Sequence, residues 1–210
     1  MTAPRPSLLQ RLRRRFLLEP SGYGRPVDQA AVDGEYRSGA WAHFHQLPEL
    51  PRQSVVVGYV SQLHANPAIL DLGCGSGRLA QLFQPHPFRR YLGVDLSTEG
   101  IRMARGLNLR GCEFAEGNFE VWTPAEKFDV IIFSECIGYA HDPGALVARF
   151  LPSLAAGGTV VISHFRYGHW QAHWRRIEPH LQVFAATTVA NERGQTWDVK
   201  LLRPPTIASA

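Results

Sequence analysis

No apolar stretch in this 210-residue sequence approaches the roughly 20 residues that a membrane-spanning helix needs. That removes a helical membrane protein. Cysteine is scarce. Cys74, Cys112 and Cys136 are odd in number, form no CxxC pair and show no metal-ligand spacing. A disulfide scaffold and a zinc site drop out, and reduced thiols are expected. The N-terminus lacks a secretory h-region, because arginines interrupt its leucines. A cytoplasmic location is therefore expected. Neither sign of charge dominates: 22 Lys and Arg face 18 Asp and Glu, a net charge of +4. Such mild basicity does not establish a nucleic-acid partner. There is no internal repeat and no low-complexity tract. What remains is 45% hydrophobic and 19% charged, the balance of a soluble domain long enough to bury a core.

Much of the positive charge is gathered in LLQRLRRRFLL, residues 8–18. Leu8, Leu9, Leu12 and Phe16 fall near helical spacing with Arg11, Arg13, Arg14 and Arg15 between them. One reading is an amphipathic helix making peripheral contact with an anionic membrane or an acidic substrate. The other is a basic tail or a helix capping the domain. EPSGYGRPVD (19–28) has linker composition. The chain thus divides into a basic arm with an aromatic lid segment, 1–52, and a folded domain, 53–210.

Within that domain helical and strand patterns alternate. QSVVVGYVSQL (53–63) reads as a helix, with a strand at 55–60 as the alternative. Strands are expected at 68–73, 90–97, 112–118, 128–135 and 159–165. Helices are expected at 78–83, at 98–105 with a Ser97 or Thr98 cap, and at 143–154, closed by Gly157-Gly158. The strand runs are continuously apolar, as in a parallel sheet buried on both faces. Residues 181–190 and 195–203 break the rhythm and read as an antiparallel hairpin.

The most informative stretch is ILDLGCGSGRLA, 69–80. Three alternate glycines, Gly73, Gly75 and Gly77, follow a strand that carries Asp71. At the carboxyl end of a parallel strand such glycines admit positive φ and let a ligand approach bare backbone. The spacing is GxGxG. The dinucleotide fingerprint GxGxxG would need glycine at 78, where Arg78 stands. Asp71 is unwelcome beside a pyrophosphate, but it suits a ligand with an ammonium and a sulfonium.

In these residues the chain resembles the class I S-adenosylmethionine-dependent methyltransferases. The resemblance runs from Ile69 to about Arg203 through ILDLGCGSG, GVDLS, EFAEGNFE, FDVIIFSECIGYAHDP and LPSLAAGGTVVIS, in family order. It implies a Rossmann-like α/β fold: a seven-stranded, mostly parallel sheet, helices on both faces and an antiparallel C-terminal hairpin. It implies S-adenosyl-L-methionine as cofactor. The cofactor would be held by Asp71, Gly73, Cys74 and Gly75, by Asp95 and Leu96, by Asn118 and Phe119, and by Ser134. Asp95 would take both ribose hydroxyls. Two positions depart from the family pattern. Asn118 replaces an acid in the adenine motif, its amide oxygen remaining as acceptor. Ile137, Gly138 and Tyr139 stand where many members carry Leu-Glu-His.

Methyl transfer asks the protein to align a nucleophile and exclude water. His164 and Tyr139 are the candidates for a substrate or catalytic role, His164 because an unperturbed imidazole titrates near neutrality. Arg166, Tyr167 and His169 lie beyond the same strand end. Glu135 is expected to touch the methionine end or orient a neighbour, and His141 to serve the helix start at Asp142-Pro143. Tyr36, Trp41 and Phe44 form either a lid, with Tyr36 or Trp41 against the sulfonium or methionine carboxylate, or a patch tying the arm down. FSEC lacks the Asn-Pro-Pro-Tyr pattern, no Pro-Cys supplies a thiol nucleophile, and no acidic cluster suggests a metal. The acceptor expected is a small molecule, a sugar or a lipid-linked intermediate, methylated on oxygen or nitrogen. The alternatives are an inactive S-adenosylmethionine-binding protein, an NAD-dependent oxidoreductase, and an RNA- or DNA-modifying enzyme using the basic arm.

Overall fold

The computed structural model describes residues 28–168 and 170–205. The basic segment 8–18, most of the linker and His169 lie outside the described residues. Among the described residues the first helix is α1 (Gln29–Arg37), followed by 3₁₀ turns at Ala40–His45 and Leu47–Glu49. Then come α2 (Leu50–Leu63), β1 (Ala68–Leu72), α3 (Arg78–Phe83), β2 (Arg90–Asp95), α4 (Thr98–Gly106), β3 (Cys112–Glu116) and β4 (Phe128–Ser134). The chain ends with α5 (Pro143–Phe150), β5 (Leu154–Phe165), α6 (Trp170–Ile177), β6 (Gln182–Ala190) and β7 (Thr196–Arg203).

The seven strands form one sheet in the order β3-β2-β1-β4-β5-β7-β6. Strands β1 to β5 pair in parallel, and β7 inserts antiparallel to both β5 and β6. This is the Rossmann-like sheet expected from the sequence. Alternate residues of each strand feed two cores. Ile69, Val130, Ile132 and Val161 pack beneath α2, α3 and α4, in a cluster that includes Val56, Phe83 and Ile101. Leu70, Leu72, Ile131 and Phe133 pack on the other face, with Phe150 of α5 and Trp174 of α6. Each such side chain removed from water contributes about 1.5–3 kcal/mol. The two-sided burial explains why these strands read as unbroken apolar runs.

Four local features differ from expectation. Residues 55–60 lie inside α2, which begins at Leu50, so the boundary drawn between 52 and 53 falls in that helix's first turn. The helix after Asp142 ends at Phe150, because Pro152 lacks the N–H that another α turn requires. Gly157 and Gly158 are therefore not helix terminators. They lie in β5, which starts at Leu154, and a Cβ on Gly158 would sit 2.9 Å from the carbonyl oxygens of Ala155 and Asp129. Helices α1 and α6 were not anticipated. Caps go as read elsewhere: Ser97 accepts from the Gly100 amide, and Asp142 from those of Gly144 and Ala145.

Candidate functional site

The chain leaves β1 toward β2 on one side and later reaches β4 on the other, so strand order reverses at the end of β1. That is where an open α/β sheet leaves a crevice. The glycine loop lies there. The Gly73 and Cys74 amides both donate to the Val94 carbonyl, at 2.8 and 3.1 Å, fastening the loop to β2. Gly73 and Gly75 take φ of +71° and +54°. A Cβ at Gly73 would strike Cys136, and one at Gly75 would strike the Tyr36 hydroxyl. The loop's bare backbone thus already has a neighbour from the N-terminal segment.

Asp95 closes β2. Its Oδ2 accepts the Gly75 amide and its Oδ1 the Ser97 amide, both at 2.8 Å. The carboxylate is 8% exposed, and burial raises its pKa. Each oxygen keeps lone-pair capacity toward the cavity. Helix α1 is strapped across this corner. Asp33 accepts from the Ser97 hydroxyl at 2.6 Å and from the Glu99 amide at 3.1 Å. The strap lays the Tyr36 ring over Gly100 and its hydroxyl on Gly75.

Three cavities that share lining residues lie at this end of the sheet. The first, about 190 Å³, is lined by Tyr36, Trp41, Asp95, Leu96, Asn118 and Phe119, with Ser134, Glu135 and Tyr139 opposite. The second is smaller, about 70 Å³, and lies over Asp71, Gly73, Cys74 and Gly75, with Arg52 and Gln53 from α2. The third, about 200 Å³, shares Trp41, Phe44, Glu135 and Tyr139 with the first and contains His164. The aromatic lid segment roofs all three. Trp41 and Phe44 stack at 5.5 Å with 7° between ring planes, and Trp41 meets the edge of Tyr139 at 6.5 Å.

Every residue expected at the cofactor therefore lines the first or second chamber, though not always by its side chain. Cys74 is buried under the loop in the core with Tyr91 and Phe114, so its thiol, raised in pKa by burial, is no ligand group. The Asn118 amide oxygen accepts the Glu120 amide at 2.9 Å, so it anchors the turn after β3 as well as facing the chamber. His164 lies in the third chamber, apart from the residues expected at the cofactor. Its ring is 7% exposed, bonded to His173 Nδ1 at 2.8 Å and set edge-on to Trp174 of α6. Burial pushes its pKa down to about 4, so its imidazole stays neutral in the wall of the third chamber and is a weaker base than an exposed histidine. Helix α6 is the reason, because it covers the end of β5 that was read as open.

Beside Asp71, the smaller chamber holds two residues that sequence reasoning missed, Arg52 and Gln53. Arg52, 2% exposed, donates to Glu49 at 2.7 Å and to the Ser134 hydroxyl at 3.0 Å. Arg52 and Gln53 precede Val56 and Val57 by one helical turn and Val60 by two. Projecting that apolar face backward would have placed them indoors. Asp71 is 1% exposed and receives the Tyr91 hydroxyl on Oδ2. Burial raises its pKa to about 7, against the lowering effects of Tyr91 and Arg52. Its Oδ1 and the Gln53 Oε1 are buried acceptors with no donor among the described residues. Glu135 is the residue expected to touch the methionine end or orient a neighbour. It sits on the seam between the first and third chambers with φ +61°, a left-handed conformation costing roughly 1–3 kcal/mol for a non-glycine residue.

Comparison with known proteins agrees with this geometry. Residues 7–195 match a methyltransferase domain family. A trans-aconitate 2-methyltransferase of Azoarcus sp. (strain BH72) is 34% identical over 95 residues, covering 45% of this chain and 37% of that protein. A ubiquinone biosynthesis O-methyltransferase of Psychrobacter arcticus is 30% identical over 149 residues, covering 60% of this chain and 56% of that one. The chain thus spans between about a third and a little over half of these curated relatives. Among solved structures, the N-methyltransferase NodS of Bradyrhizobium japonicum WM9, in complex with S-adenosyl-L-homocysteine, superposes with a TM-score of 0.69. It is 18% identical, over 79% of this chain and 91% of that one, a likeness of fold.

Proposed function

We propose, from the premise that this chain belongs to the class I S-adenosylmethionine-dependent methyltransferases, that it methylates an oxygen or nitrogen of a small-molecule acceptor. S-adenosylmethionine, when bound, supplies a methyl group already activated on a sulfonium. The task left to the chain is alignment and exclusion of water. In the first chamber Asp95 would receive the ribose hydroxyls, with Leu96, Asn118 and Phe119 around the adenine. In the second, Asp71 and Gln53 would accept from the amino group while Arg52 faces the carboxylate. Tyr36, Trp41 and Phe44 would close over the sulfonium, and Tyr139 would help position the acceptor.

The observation that carries this reading is the convergence of two orphaned buried acceptors, Asp71 Oδ1 and Gln53 Oε1, with a buried arginine beside bare glycine backbone. Native interiors rarely leave buried polar atoms unpaired. A zwitterionic amino-acid head supplies the missing donors. The lid and the aromatic-lined third chamber support a small acceptor, as do the substrates named for the two curated relatives. Three free thiols support a cytoplasmic setting. Among the described residues no helix is long and apolar enough to cross a membrane.

The test is incubation of the purified chain with S-adenosylmethionine and a panel of small phenols, amines, sugars and acids, scored by S-adenosylhomocysteine release. Acceptor-dependent release is expected. Tight donor binding with no release from any acceptor would favour the inactive binding protein instead.

A further inference from the structure

We infer, granting the methyl-transfer reading above, that the acceptor is an uncharged aromatic molecule whose hydroxyl or amine hydrogen is received by Glu135, and that carboxylate-bearing acceptors are turned away. The third chamber shares the walls Trp41, Phe44, Glu135 and Tyr139 with the first, so a molecule lodged in it lies against the donor chamber. Its walls are flat. Phe165 stacks on Tyr167 at 5.9 Å with 3° between planes and leans on Trp197 at 5.3 Å. Aromatic faces at these angles favour a ring over an extended polar chain.

The charges decide the rest. Among the described residues no lysine or arginine lines this chamber. Of its two histidines, burial drives His164 toward its neutral form, and His43 sets Nδ1 against the Ala40 carbonyl. Of its two carboxylates, Glu49 is spent on Arg52. Glu135 has no ion-pair partner among the described residues. Its Oε1 accepts the Ser163 hydroxyl at 2.6 Å and its amide donates to the Ser163 carbonyl at 3.0 Å, which pins the left-handed residue to β5. The pinned carboxylate leaves acceptor capacity at the seam. A hydroxyl or N–H donor matches it. An anion would be desolvated next to a like charge, with no lysine or arginine among the described lining residues in compensation. In this respect the chamber is unsuited to trans-aconitate, a tricarboxylate, although that substrate is named for one of the relatives.

The test uses the whole chain saturated with S-adenosylhomocysteine. Failure to bind that compound would sink the methyl-transfer reading and leave the acceptor question unasked. With it bound, calorimetry compares 2-naphthol with 2-naphthoate, 5-hydroxyindole with indole-5-carboxylate, and trans-aconitate alone. The hydroxyl member of at least one pair should bind, at least about tenfold tighter than its carboxylate twin, and trans-aconitate should give no heat. Glu135→Gln should shrink that ratio to about threefold or less. Equal or tighter binding of either carboxylate, binding of trans-aconitate, or silence from both hydroxyl compounds would overturn the inference. So would an unchanged ratio in Glu135→Gln. Should that variant not fold, the wild-type ratios decide alone.

Discussion

Lowering the pH from 7.5 to 6 should weaken binding of S-adenosylhomocysteine several-fold through one carboxylate. Asp71 lies beneath the glycine loop with its pKa raised to about 7 by burial. Three groups face it. Tyr91 donates to Oδ2 and Arg52 attracts the ionised form, while Asp95 repels it. An ammonium placed at Oδ1 binds the ionised carboxylate and drives its pKa down again. With a pKa of about 7, Asp71 is about three-quarters ionised at pH 7.5 and about one-tenth at pH 6, so affinity should fall about eightfold. The sign follows from linkage: a ligand that prefers the deprotonated form binds better as pH rises and releases a proton below pH 7. Titration calorimetry at pH 6 in two buffers of different ionisation enthalpy should register close to one proton released. Asp71→Asn should lose both the proton and the pH dependence. Equal affinity at the two pH values, with no buffer effect, would refute the placement of an ammonium at Asp71.

Further perturbations separate the roles of individual residues. Asp95→Asn loses a charge-assisted acceptor worth about 1.5–3 kcal/mol, so affinity for S-adenosylhomocysteine should drop by roughly one to two orders of magnitude. An unchanged dissociation constant in the folded variant removes Asp95 from the ribose. Arg52→Met leaves Glu49 buried without its partner and should cost about 3–5 kcal/mol in urea unfolding; a loss below about 1 kcal/mol would mean water already screens that pair. His164→Asn should leave the shape of the pH–rate profile between pH 5.5 and 8 unaltered, because the imidazole titrates only near pH 4. Disappearance of a limb in that range would restore His164 as a proton carrier.

The sequence disclosed what is periodic or backbone-dictated. Ile69–Leu72 and Val130–Phe133 are buried on both faces, which made them legible as parallel strands without any partner in view. Gly73, Gly75 and Asp95 were legible because positive φ and a strand-end carboxylate leave a mark at fixed spacing. What escaped depended on tertiary placement. Arg52 and Gln53 look like the polar first turn of a helix until the helix packs with that turn inward. His164 looks like an open strand end until Trp174 covers it. The left-handed backbone of Glu135 has no sequence signature, because glutamate is an unfavoured choice there.

The central claim is that the first two chambers are one site for a zwitterionic sulfonium nucleoside. Titration of the wild-type chain with S-adenosylhomocysteine at pH 7.5 tests it most directly. One saturable site is predicted, with NADH silent under the same conditions. A flat trace with folded protein, or heat from NADH alone, would contradict it.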